Sequence, residues 1–151
     1  MKTIICGGRE YNNRSAVFDY LDAFNKQIKL THVVTGGARG ADALGADWAT
    51  SRGVEQTVMR ADWLKHGRSA GLARNIAMAN TNPDLVIAFP GGNGTKHMVL
   101  TAMKRQIHVV FPCPIDQYSF DPACASLTSS RPGSSSTRAR AGRTSWRMTP
   151  G

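Results

Sequence analysis

DLVIAFPGGNGT, residues Asp84 to Thr95, decides the fold, because within it a buried strand hands over to a helix. Asp84 to Phe89 is a short apolar run of the length expected for a parallel strand covered on both faces, and Lys96 to Arg105 reads as a helix. Between them stand Gly91, Gly92 and Gly94. Glycines let a backbone approach a ligand closely, and the amides opening a helix form a site for phosphate. Thr95 adds a hydroxyl as helix cap or phosphate donor. The competing reading is a tight strand-to-helix connection that needs glycine only for its dihedrals.

Working outward, the same handover recurs. Lys2 to Cys6 is a strand ending in Gly7-Gly8-Arg9, followed by Asn12 or Asn13 as N-cap. Val17, Tyr20, Leu21, Phe24 and Ile28 then mark one apolar face of a helix over Ser15 to Ile28. A second strand, Leu30 to Val34, closes in Thr35-Gly36-Gly37-Ala38-Arg39-Gly40-Ala41-Asp42. A helix follows over Ala41 to Ser51, with Leu44 and Trp48 inward and Gly53 at its C-terminal cap, before a third strand, Glu55 to Met59. Ala61 to Gly71 reads as a polar connection, Leu72 to Asn80 as a helix with Ile76 and Met78 among its apolar residues, and Gln106 to Phe111 as a last strand. The alternation predicts an α/β fold: a Rossmann-like parallel sheet of about five strands with helices on both faces.

In a parallel sheet every loop that follows a strand lies on the same edge, so the three glycine turns are expected to converge on one crevice. None fits the spaced GxGxxG fingerprint or a GxxxxGK[ST] loop, which argues against conventional dehydrogenases and ATPases. The convergence favours a phosphate-bearing small ligand over turn chemistry alone. Arg9 and Arg39, inside their turns, are expected to face phosphate; the alternative is two solvated arginines.

The chain of 151 residues is long enough for one domain with a core of its own. Its formal net charge is +9, and the location of that charge matters. Residues 1–125 carry 14 Lys and Arg against 10 acidic groups, whereas residues 126–151 carry five Arg and no acid. The expected organisation is a nucleotide-binding domain over 1–112 and an irregular, basic Ser/Arg/Gly/Pro-rich tail over 113–151, disordered or loosely attached. Such a tail is either solvated or a nonspecific contact for RNA, DNA or an acidic partner. Cys6, Cys113 and Cys124 have no metal-ligand spacing, so no metal site or disulfide framework is expected, and Cys6 reads as a buried thiol. No run approaches a membrane span and no signal peptide is visible, so a cytoplasmic protein is expected.

Four ordered motifs carry a family resemblance: GGR at 7–9, GGARGAD at 36–42, the segment from Asp62-Trp63 through Ala70-Gly71 to Arg74-Asn75, and FPGGNGT at 89–95. Over roughly residues 1–112 the chain resembles the YspA-like SLOG proteins, a Rossmann-like group related to the LOG phosphoribohydrolases and to the DNA-processing protein DprA. The resemblance implies nucleotide binding. Gly7, Gly8, Arg9, Gly36, Gly37, Arg39, Gly40, Arg74, Asn75, Pro90, Gly91, Gly92, Gly94 and Thr95 are then the candidate phosphate- and ligand-binding residues. LOG enzymes carry PGGxGTxxE, whose glutamate serves glycosidic cleavage, but here Met98 holds that position, and a thioether can neither activate water nor stabilise an oxocarbenium ion.

Any acid/base role therefore falls to Asp42 or Asp62, and Asp42 reads first as a helix cap, with a ribose ligand as the alternative. Trp63 is a candidate base-stacking residue or a loop anchor. Arg74 matches the family's arginine and is expected to point toward the Pro90 to Thr95 turn as a phosphate clamp, in its own site or one shared with a second subunit of a homodimer. Asn75 is expected to fix ligand or loop backbone, and His66 and His97 to be surface residues. The expected function is binding of a nucleotide or NAD-derived ligand as sensor, carrier or sink, with no separate cofactor. The alternatives are a nucleotide hydrolase and a single-stranded nucleic-acid binder.

Overall fold

A computed structural model describes residues 1–122. The tail at 126–151, and with it the nucleic-acid expectation, lies outside the described residues. Five strands form one parallel sheet in the order β3-β2-β1-β4-β5: β1 Lys2–Cys6, β2 His32–Thr35, β3 Glu55–Val58, β4 Leu85–Ala88 and β5 His108–Val110. The central pair is in register at Thr3 with Leu85 and Cys6 with Ala88. Both strands are buried throughout their apolar residues, which is why they read as continuous runs rather than alternations. The edge strand β3 is mostly exposed and carries Glu55, Gln56 and Thr57, a polar edge that discourages pairing with a further strand.

The helices are α1 Arg14–Gln27, α2 Ala41–Ser51, α3 Trp63–His66, α4 Ala70–Ala79 and α5 Asn93–Lys104. α1 packs with α2, and α4 with α5, so right-handed crossovers leave one pair on each face of the sheet. Asn13 caps α1 by accepting from the Ala16 N–H at 3.1 Å. Val17, Tyr20 and Leu21 are buried and Phe24 packs against the core, but Ile28 leaves the helix in extended conformation and is exposed. Trp48 is fully buried and donates its indole N–H to Asp22 at 2.8 Å. No helix among the described residues is long and apolar enough to cross a membrane.

Two segments differ from the sequence expectation. The connection at 61–71 contains α3 and a 3-10 turn at Gly67–Ser69, because the Asp62 carboxylate accepts from the Lys65 N–H and starts a helix of one turn. Residues 113–120, assigned to the tail, instead pack on the domain. Cys113 and Tyr118 are buried, the Tyr118 hydroxyl donates to the Ala88 carbonyl at 2.6 Å, and its ring meets Phe111 and Phe120 edge-on. The packed domain thus runs past 112 at least to Phe120.

Candidate functional site

The sheet order reverses between β1 and β4, and there the chain exits on either side of a crack at the carboxyl ends of two adjacent strands. A cleft of about 400 Å³ occupies this switch point. Cys6, Gly8 and Arg9 contribute from β1 and its turn, Asp42 from α2, Arg74 and Asn75 from α4, and Gly92, Gly94 and Thr95 from the start of α5. Of the singled-out residues, Gly7 and Trp63 also line it.

The three glycine turns do converge, and their first effect is to lock one another. The Gly8 N–H donates to the Pro90 carbonyl at 2.7 Å, and the Gly8 carbonyl accepts from Ala41 at 3.1 Å and Tyr11 at 3.2 Å. A Cβ on Gly7 would press on Ala41 and Phe89, and one on Gly40, whose φ is +80°, would collide with the Gly8 carbonyl. The amides of Gly8 and Gly36 are thus bonded within the protein. Pro90 and Gly91 also fall outside the cleft lining: Gly91 lies against Thr95 and Gly8, and its carbonyl accepts from the Ser119 N–H at 3.2 Å.

Further backbone donors stand at the start of α5. Gly92 is its N-cap without a side-chain cap bond, so the helix starts three residues before the sequence suggests and Asn93, Gly94 and Thr95 form its first turn. Thr95 is therefore not the cap; it is buried inside the first turn and lines the cleft. First-turn amides have no partner within their own helix and present the positive end of its dipole. Asn75 holds this turn by donating from Nδ2 to the Gly94 carbonyl at 3.2 Å, and contacts His97 Nδ1 at the same distance. His97 is therefore half-buried against Asn75 rather than a free surface residue, while His66 is exposed as expected.

Asp42 is 6% exposed and does not cap α2. Its Oδ2 accepts from the Gly36 N–H at 3.1 Å and the Ala38 N–H at 3.4 Å, bracing the loop that precedes it. Burial pushes its pKa up to about 6, against the opposing pull of Arg74, the two amides and Arg9. Arg74 does not point at the Pro90 to Thr95 turn. Its Nη1 donates to the Gly36 carbonyl at 2.6 Å and its Nε to Asn75 Oδ1 at 3.1 Å, which sets the guanidinium beside Asp42. A buried carboxylate draws the only flexible cation on α4 toward the second turn, and backbone donors at α5 offer it nothing to bond.

Asp62 spends its carboxylate on α3 and does not line the cleft. Trp63 is 52% exposed, with the Arg9 guanidinium 5.8 Å from its ring centroid. Arg39 pairs with Glu10 on the surface and is away from the main cleft. Met98, where LOG enzymes carry glutamate, is buried and lines the cleft floor, and Cys6 beside it is a thiol whose burial pushes its pKa well up. Sequence reading passed over Arg68, Leu72 and Met78, which also line the cleft. For Met78 helical spacing carried the signal: Gly71, Arg74, Asn75 and Met78 fall at i, i+3, i+4 and i+7.

Comparison with known proteins agrees with this architecture. The profile of the YspA, cpYpsA-related SLOG family matches residues 1–66, which span β1 through α3 and two of the three glycine turns. The chain is also 38% identical over 117 residues to the Gene 61 protein of Mycobacterium phage D29, covering 72% of this chain and 94% of the phage protein. That alignment reaches well beyond the profile match, and with the switch-point cleft it places the chain in the YspA, cpYpsA-related SLOG family.

Proposed function

We propose that the chain binds a nucleotide or nucleotide-derived small molecule at the switch point, as a sensor, carrier or sink, with its phosphate on the first turn of α5. The observation that carries the reading is the uncapped start of α5, whose amides open on a cleft also lined by Arg9, Arg68 and Arg74. Fixed backbone donors suit an anion because they cost no reorganisation on binding. Trp63 at the rim offers a face for the base, and its partial exposure leaves that face accessible. Thermal unfolding with nucleoside monophosphates, ADP-ribose, NAD and cyclic dinucleotides tests it. A ligand at 100 times its dissociation constant stabilises by about 2.7 kcal/mol. Absence of any shift across the panel contradicts the reading.

One observation favours a second reading, hydrolysis of an N-glycosidic or phosphoester bond. Asp42 lines the cleft with a pKa pushed up to about 6, in the range where a carboxyl exchanges protons near neutral pH. Asp62 has no part in it, being committed to α3. Chromatography of nucleoside monophosphates after incubation detects free base, ribose 5-phosphate or nucleoside. Turnover that persists in Asp42→Asn removes Asp42 from the role.

A further inference from the structure

Beside the main cleft lies a second one of about 480 Å³, bounded by the turn at Gly36 and Gly37, the start of α3, and Arg9, Arg39, Arg60 and Arg74. Four guanidinium groups line it and no carboxylate does. Arg60 follows β3 and donates from Nη1 to the Gly37 carbonyl at 3.0 Å, which fixes its head at the turn. Arg39 reaches it from the loop before α2 and pairs with Glu10 at the surface, where both side chains are mostly exposed. Such a pair contributes little and exchanges readily for a stronger anion. Arg9, Ala38, Trp63 and Arg74 line both clefts, so the two share a wall.

Glu10 offsets Arg39 and Asp42 stands beside Arg74, which leaves Arg9 and Arg60 without a carboxylate salt-bridge partner among the described residues, and positive charge gathered on a concave wall attracts an anion. We propose that this cleft is a second anionic subsite, which takes a second phosphate of the nucleotide whose first phosphate rests on α5. The proposal rests on the nucleotide reading above. Arg60 and Arg39 supply the planar forks that match phosphate oxygens two at a time, while Arg9 and Arg74 form the shared wall. The second phosphate can come in a pyrophosphate link or on the far side of the ribose, and both share the chemistry of a twofold phosphorylated nucleotide.

Calorimetric titration of the full chain with AMP, ADP and adenosine 3′,5′-bisphosphate, repeated in Arg60→Gln, decides the question. One of the doubly phosphorylated probes is expected to bind roughly 10- to 100-fold more tightly than AMP, the range for added charged hydrogen bonds. Which one gains identifies the linkage. In Arg60→Gln that advantage falls about tenfold while AMP affinity is unchanged, and Arg60→Lys recovers only part of it. Equal affinity for all three probes, or an advantage that survives Arg60→Gln together with Arg39→Gln, overturns the proposal. If no nucleotide binds, the nucleotide reading falls, and inorganic pyrophosphate then tests the subsite alone. Pyrophosphate binding lost in Arg60→Gln supports an anion site, and no pyrophosphate binding overturns it.

Discussion

Arg74→Ala tests how the site is held together, because the structure gives this side chain two tasks inside the protein before any ligand arrives. It bonds the Gly36 carbonyl at 2.6 Å, and it stands beside the buried carboxylate of Asp42. A hydrogen bond from a charged group contributes about 1.5 to 3 kcal/mol, and stranding a buried charge adds to that loss. At pH 7.5, where Asp42 is ionised, Arg74→Ala is therefore expected to cost about 3 to 4 kcal/mol. At pH 4.5, below the pKa of about 6, Asp42 is protonated and the loss is confined to the hydrogen bonds with Gly36 and Asn75, so the cost falls to about 2 kcal/mol. Urea unfolding at both pH values, on wild type, Arg74→Ala, Asp42→Asn and the double variant, measures the effect and the coupling between the two residues. Equal cost at both pH values, with additive single variants, would refute the pairing of Arg74 with Asp42.

Other outcomes follow from individual contacts. Asp42 has a folded-state pKa above its ordinary value, so the contribution of this group favours folding below about pH 3.8 and is lost as pH rises through about 6; Asp42→Asn removes that slope from a stability–pH profile. Gly40→Ala places a Cβ at φ +80° against the Gly8 carbonyl and is expected to destabilise by more than 2 kcal/mol, about double the cost of an unhindered left-handed alanine, as read by chemical denaturation. Tyr118→Phe leaves the buried Ala88 carbonyl without its hydroxyl donor and is expected to cost about 1 to 2 kcal/mol in the same assay.

The strands and their order of alternation were legible because β1 and β4 are buried on both faces and so read as unbroken apolar runs. The glycine turns were legible as turns, but not which of their amides bond within the protein. Sequence spacing shows where backbone is free to bend, but whether Gly8 N–H meets a ligand or the Pro90 carbonyl depends on how two turns far apart in the chain pack. The start of α5 was missed for a related reason: Gly92 caps it with no side chain to announce the cap, so Asn93, Gly94 and Thr95 looked like loop. Arg74 was placed on the right helix and aimed at the wrong turn, because the burial of Asp42 that attracts it is a tertiary fact. Residues 113–120 looked like tail since Pro112 and Pro114 break the periodicity, yet Tyr118 finds a carbonyl acceptor at the end of β4.

The start of α5 is where the account stands or falls. Titration of ¹⁵N-labelled protein with AMP, followed by amide chemical shifts, reads that turn directly. The expected result is saturable movement of the Asn93, Gly94 and Thr95 amides together with the Trp63 indole signal, while the Gly8 and Gly36 amides, already bonded within the protein, move least. Saturable shifts elsewhere with the α5 amides unmoved would contradict it.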